Sequence, residues 1–124
     1  MTRRLRPLLW IASSKRDFLK FPSDVQDGFG YELYLAQTGA HSPHAKTLKG
    51  PGGGVIELAI EFEGDAYRTV YAVRFARATY VLHAFKKKSK RGAATARADI
   101  ELVRSRLADA AYDYQERFGQ ESAE

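Results

Sequence analysis

Val55-Ile56-Glu57-Leu58-Ala59-Ile60-Glu61-Phe62-Glu63 alternates without a break. Ile56, Leu58, Ile60 and Phe62 fall on one side of an extended chain, and Glu57, Ala59, Glu61 and Glu63 on the other. A period of two predicts a half-buried β-strand. Gly64-Asp65 predicts the turn that follows, and residues 67–75 its antiparallel partner, so the two form a hairpin. In that partner Arg68, Val70, Ala72 and Arg74 share one face, while Tyr67, Thr69, Tyr71, Val73 and Phe75 share the other. Ala76-Arg77-Ala78 is a second short turn, and residues 79–85 complete a three-stranded meander.

Upstream of the meander, residues 6–13 are a short apolar strand with Pro7 tolerable at its start. Ser13 or Ser14 reads as the N-cap of a short helix through Lys15-Arg16-Asp17-Phe18-Leu19, which Pro22 stops. Ser23-Asp24 opens a second helix, with Val25, Phe29, Leu33 and Ala36 on one face and Gly39 as its stop. Gly28 and Gly30 each weaken that helix by about 1 kcal/mol relative to alanine, and they suit a close approach to another element. Residues 40–54, with His41-Ser42-Pro43-His44 and Pro51-Gly52-Gly53-Gly54, read as a loop. Downstream, Thr95 is placed to cap a long helix whose apolar stripe is Ile100, Val103, Leu107, Ala111, Tyr114 and Phe118. Asp99 and Glu101 lie in its first turns, where the helix dipole favours acids. The order strand, helix, helix, strand, strand, strand, helix predicts a single α+β domain over residues 1–124, with helices packed on one face of a small twisted sheet. Its core runs from residue 6 to 118, and residues 119–124 form a frayed tail.

A chain of 124 residues suffices for one domain with a real core. Cysteine is absent, which excludes disulfides and thiolate metal sites. The net charge is +5, unevenly spread: residues 86–97 carry six bases and no acid. A polyanion would meet that end first. The apolar run over residues 8–12 is too short for a signal peptide, and no stretch approaches membrane-spanning length, so the expectation is a cytoplasmic protein without a membrane partner. His41 and His44 have no carboxylate at ligand spacing, so no metal site is predicted. The loop Gly50-Pro51-Gly52-Gly53-Gly54 lacks the lysine and hydroxyl of a nucleotide-binding loop, and no cofactor is expected.

Ala66-Tyr67-Arg68-Thr69-Val70-Tyr71, then Val81-Leu82-His83-Ala84-Phe85-Lys86-Lys87-Lys88-Ser89, then Ala98-Asp99-Ile100-Glu101-Leu102-Val103 resemble, in order and spacing, the RelE/HigB family of toxins, and most of all its phage-derived HigB-like branch. Leu48-Lys49-Gly50 and Val55-Ile56-Glu57-Leu58 add to the similarity, which covers residues 8–108. The resemblance implies a RelE-like fold and the toxin half of a type II toxin–antitoxin pair. It implies a ribosome-dependent mRNA endoribonuclease that inhibits translation. The partners it implies are a cognate antitoxin of helix-turn-helix type, the ribosome and mRNA. Two positions depart from the family pattern: Ala59 stands where relatives often carry arginine, and Ala94-Thr95-Ala96 where proline is common.

Cutting RNA through the ribose hydroxyl requires a phosphate held in line, a base for the hydroxyl proton, and cations for the developing charge. By resemblance Arg68 is the phosphate-stabilising group; as a plain strand arginine it would pair with Glu61 or Glu63 across the hairpin. Lys87 and Lys88 match the family's lysine pair and are assigned to proton transfer or phosphate binding, since crowding by cations lowers a lysine pKa. Their plain alternative is a solvated charge run. His83 reads equally as an acid–base group and as a partly buried structural histidine. Lys86, Lys90 and Arg91 would attract RNA, Arg74 would extend a phosphate track, and Lys49 would stand in for the base missing at Ala59. Phe85 reads as a platform for a splayed base or as core. Two other functions fit the same chain: a ParE-like inhibitor of DNA gyrase, and a non-catalytic basic nucleic-acid-binding domain.

Overall fold

The computed structural model describes residues 5–40, 42–87 and 94–119. Its elements run β1 (Leu8–Trp10), α1 (Ser14–Phe18), α2 (Ser23–Gln37), β2 (Lys46–Thr47), β3 (Val55–Phe62), β4 (Asp65–Ala72), β5 (Thr79–Lys86) and α3 (Arg97–Phe118). The strands form one five-stranded sheet in the order β1-β5-β4-β3-β2. β1 lies parallel to β5, and the other neighbours are antiparallel. This is the α+β sheet that the sequence predicts.

The hairpin closes more tightly than expected. Phe62 pairs with Asp65, so Glu63 and Gly64 alone make the turn, at φ of 50° and 85°. Positive φ at both central residues matches the right-handed twist of the flanking strands. The β4–β5 ladder holds a bulge: Tyr71 faces Val81, but Val70 faces His83, so Leu82 is an extra residue.

The helices do not share one face of the sheet, which corrects the sequence expectation. Val25, Phe29 and Leu33 of α2 and Phe18 of α1 pack with Leu58, Tyr67, Tyr71 and Val81. Val103, Leu107, Ala110 and Tyr114 of α3 pack with Val55, Val70, Ala72, Tyr80 and Leu82 on the other side. The reason lies in β4 and β5, whose residues 66–72 and 79–84 are buried throughout. Central strands that are apolar on both faces need cover on both.

Three smaller expectations change. Lys46–Thr47, expected in a loop, pairs with Ile56 and Glu57. The α3 N-cap is Ala96 rather than Thr95, and the buried alanine of its stripe is Ala110 rather than Ala111. Gly28, however, does what its size suits: a Cβ there would lie 2.7 Å from Ile60 Cδ1, so α2 sits directly on β3. The α2 core is an aromatic cluster in which Phe29 meets Phe18 and Phe21 at 6.4 and 5.9 Å between centroids. Phe29 is 0% exposed. Phe29→Ala is therefore expected to destabilise the fold by about 3–5 kcal/mol, seen as a large drop in melting temperature. A drop of only a degree or two would mean that the site collapses around the cavity.

Candidate active site

The α3 face of the sheet carries a polar corner where β5 ends. Arg68 points there because Val70 and Ala72, two and four residues on, point at α3. Phe85 faces Arg68 across the ladder, and alternation puts Lys87 on the same face. The Lys87 N–H donates to the Ala66 carbonyl at 2.8 Å, which fixes the backbone just past the strand. Its ammonium donates to the Ala94 carbonyl at 3.3 Å. It lines a cavity of about 380 Å³ together with Phe85, Ala94, Ala96 and Asp99.

Arg68 is only 9% exposed. Its Nε lies 3.7 Å from Glu57 Oε2, and the same oxygen accepts a hydrogen bond from the Thr95 hydroxyl at 2.5 Å. The carboxylate that meets Arg68 is thus Glu57, not the expected Glu61 or Glu63. Glu61 faces Ala66 in the ladder, whereas Glu57 reaches Arg68 diagonally across Ala59. The pKa of Lys87 is held below the ordinary lysine range, first by burial and then by the Arg68 guanidinium, against the opposing charges of Glu57 and Asp99. A cation beside a cation, partly out of water, makes the neutral amine easier to reach.

His83 sits behind this corner, 7% exposed, its ring stacked on Phe85 at 4.3 Å. Its Nε2 is 2.8 Å from Asp99 Oδ1. An ionised carboxylate only accepts, so Nε2 carries the proton and Nδ1 is the bare acceptor. Nδ1 is buried and has no partner among the described residues. In this arrangement His83 holds Asp99, and through it the first turn of α3, rather than presenting a free nitrogen to the cavity. Arg106 braces the same region, donating to the Leu82 carbonyl at 2.9 Å and to the Ser13 hydroxyl at 3.1 Å.

Burial lowers the His83 pKa below its ordinary 6.5, outweighing the Asp99 hydrogen bond and charge. The sign follows directly. Above pH 6.5 the group is neutral in both folded and unfolded chains, and no stability is lost. As pH falls, the unfolded chain takes up the proton first, and stability drops until the folded value is reached. Melting temperature is therefore expected to fall between pH 6.5 and 5 more steeply in the native chain than in His83→Gln. Parallel curves would remove His83 as the cause.

Residues 16–108 match the family described as Phage derived protein Gp49-like (DUF891). The chain belongs to this family. The Gp49-like family is associated with RelE-like toxins of toxin–antitoxin systems. The match spans Glu57, Arg68, His83, Lys87, Thr95 and Asp99 alike. No curated protein matches the chain.

In this Gp49-like chain, Arg68, His83, Phe85 and Lys87 come together at one corner of the sheet. Phe85 is half-buried, stacked on His83 and packed against the α3 core. Lys86 turns to the opposite face, 3.4 Å from Asp65. Arg74 is exposed beyond the far end of β4, beside Gly54. It stands six residues from Arg68, about 20 Å of strand, and does not extend the same corner. Lys49 is exposed in a loop whose next residue, Gly50, lies against the Ile100 side chain near the start of α3. Lys88, Lys90, Arg91 and His41 lie outside the described residues. Among the described residues, no three His, Asp or Glu side chains group to hold a metal ion. None of the described helices is long and apolar enough to cross a membrane.

The sequence did not single out Glu57, Thr95, Asp99 and Arg106 as site residues. Glu57 and Thr95 are 38 residues apart, so no local spacing announces their contact. The only signal for Glu57 is a charge in a strand with apolar neighbours.

Proposed function

We propose that this chain is the toxin component of a type II toxin–antitoxin pair, of HigB type, and that it is a ribosome-dependent mRNA endoribonuclease. The observation that carries the reading is Lys87, set beside Arg68 at an open cavity with its pKa lowered by burial and by that cation. The neutral amine of Lys87 takes the proton of the ribose 2′-hydroxyl. The oxygen attacks the adjacent phosphorus, the P–O5′ bond breaks, and the 5′-oxygen leaves as a hydroxyl on taking a proton from water, with a 2′,3′-cyclic phosphate left on the other fragment. Arg68 stabilises the charge that builds on the phosphate oxygens. Glu57, with Oε2 3.7 Å from Arg68 Nε, holds the guanidinium until the phosphate competes for it. The reading brings with it a cognate antitoxin, the ribosome and mRNA as partners, in the cytoplasm.

The test is induction of the chain in bacteria, followed by mapping of new RNA 5′ ends. Ends confined to translated messages, and lost when ribosomes are cleared from them, are the expected result. One observation favours a second reading. Ala59 faces Arg68 directly, so the cation that relatives often place there is missing from the corner. Growth arrest with a DNA-damage response and no new RNA ends would select the gyrase inhibitor instead.

A further inference from the structure

β3 is covered unequally on its two sides. β4 pairs with all of Val55–Phe62, whereas β2 pairs only with Ile56 and Glu57. The chain leaves β3 at a turn in which the Ala45 N–H donates to the Ser42 carbonyl and the His44 N–H to the Ser42 hydroxyl. The Leu48 N–H donates to the Val55 carbonyl on the outer side. The antiparallel alternation then assigns the backbone groups of Ala59 and Glu61 to that side as well. Their N–H and C=O groups meet no strand among the described residues. Natural edges are blunted by lysine, proline or a bulge, and residues 58–62 have none of these.

A cavity of about 260 Å³ opens beside this edge on the α2 face, lined by Gly28, Phe29, Glu32, His44, Leu58 and Ile60. It is several times the ~30 Å³ share of one water, so it has room for a side chain. Glu32 Oε1 is buried there without a hydrogen-bond partner among the described residues. A buried carboxylate oxygen left unpaired is a position that asks for a donor.

The charge around the edge runs against that of the whole molecule. The chain carries +5, yet α2 holds Asp24, Asp27 and Glu32 with no lysine or arginine. Residues 51–66 hold Glu57, Glu61, Glu63 and Asp65, again with no base. Tyr31 and Tyr34 on α2 are 62% and 49% exposed, a composition typical of interfaces. Nucleic acid is a poor occupant for an acidic strip. A second copy is disfavoured too, because pairing two open β3 edges antiparallel brings the Glu61 carboxylates of both copies close together on one face.

We propose that the open edge of β3 and the Glu32 cavity are a docking strip for an extended, basic segment of a partner protein. The segment adds as a strand against Ala59 and Glu61, and one of its lysine or arginine side chains enters the cavity to pair with Glu32. Arg68 and Lys87 lie on the opposite face of the sheet, so the strip stands or falls without the nuclease reading.

The probe is a synthetic ten-residue peptide of alternating lysine and valine, with a glutamate–valine peptide as control, followed by amide hydrogen exchange of the full chain. The lysine peptide is expected to bind and to protect the Ala59 and Glu61 amides, and the glutamate peptide to do neither. Glu32→Gln keeps the shape and is expected to weaken binding by at least ~10-fold. Glu61→Pro removes only an outward N–H and is expected to weaken it about 5-fold, with both variants melting like the native chain. Equal binding of the two peptides would overturn the proposal. So would protection that maps elsewhere, binding indifferent to both substitutions, or a peptide-free dimer with its β3 edge amides already protected.

Discussion

Arg68→Ala is expected to lower cleavage of translated messages by at least ~100-fold and to abolish growth arrest. The size follows from what the side chain offers. It is the one described cation that is both nearly buried and charge-coupled to Lys87. A preorganised donor out of water is worth far more to a developing phosphate charge than a mobile surface base. The same substitution strips Glu57 of its guanidinium and leaves it the Thr95 hydroxyl and the nearby charge of Lys87, which costs about 1–3 kcal/mol of stability. Arg68→Lys separates the two effects. It keeps a charge near Glu57 but loses the planar fork, so stability should recover more than activity does. A toxic, cleaving Arg68→Ala chain would sink the site assignment, and with it the nuclease reading of this corner.

Lys87→Ala should be nearly as damaging, by ~100-fold or more, because general-base help of that size disappears with the amine. Its pH dependence is the sharper measurement. If the neutral amine takes the proton, the rate of a purified cleavage reaction rises with pH through the lowered Lys87 pKa and then levels off. Glu57 pulls that pKa upward, against burial and Arg68. Glu57→Gln should therefore move the rising limb toward acid, and Asp99→Asn should do the same. A limb that stays in place in Glu57→Gln, or moves toward alkali, would show that the rising limb does not report Lys87.

The meander was legible because periodicity survives in one dimension. The alternation from Ile56 to Phe62 gave the exposed face of β3 and its buried one, and both agree with the structure. The apolar face of α2 was equally plain, since Val25, Phe29, Leu33 and Ala36 are all buried. What periodicity cannot say is which side of the sheet a helix takes. β4 and β5 are buried on both faces, so their sequence gives no polar side from which to infer an open one. β2 escaped notice because two residues carry no period at all. The site divides in the same way. Arg68 and Lys87 were visible as a strand arginine and a strand-end lysine in a familiar order. The carboxylates around them were not, because Glu57–Arg68 and His83–Asp99 are diagonal or inter-element contacts that depend on register.

The extra residue at Leu82 has a consequence for how this chemistry can be inherited. Before it, Tyr80 faces α3 and Val81 faces α2; after it, His83 and Phe85 face α3 and Ala84 faces α2. Odd positions have exchanged sides with even ones. Were the same residues laid in a regular strand without the bulge, each side chain after Leu82 would change sides, and Phe85 and Lys87 would be carried to the face opposite Arg68. The site is therefore addressed by parity. Substitutions at Leu82 can be absorbed as changes of packing, and deletion of Leu82 leaves the pairs Tyr71–Val81 and Val70–His83 in register, but flattening the bulge with all its residues kept separates the two cations while every residue of the motif remains in the gene.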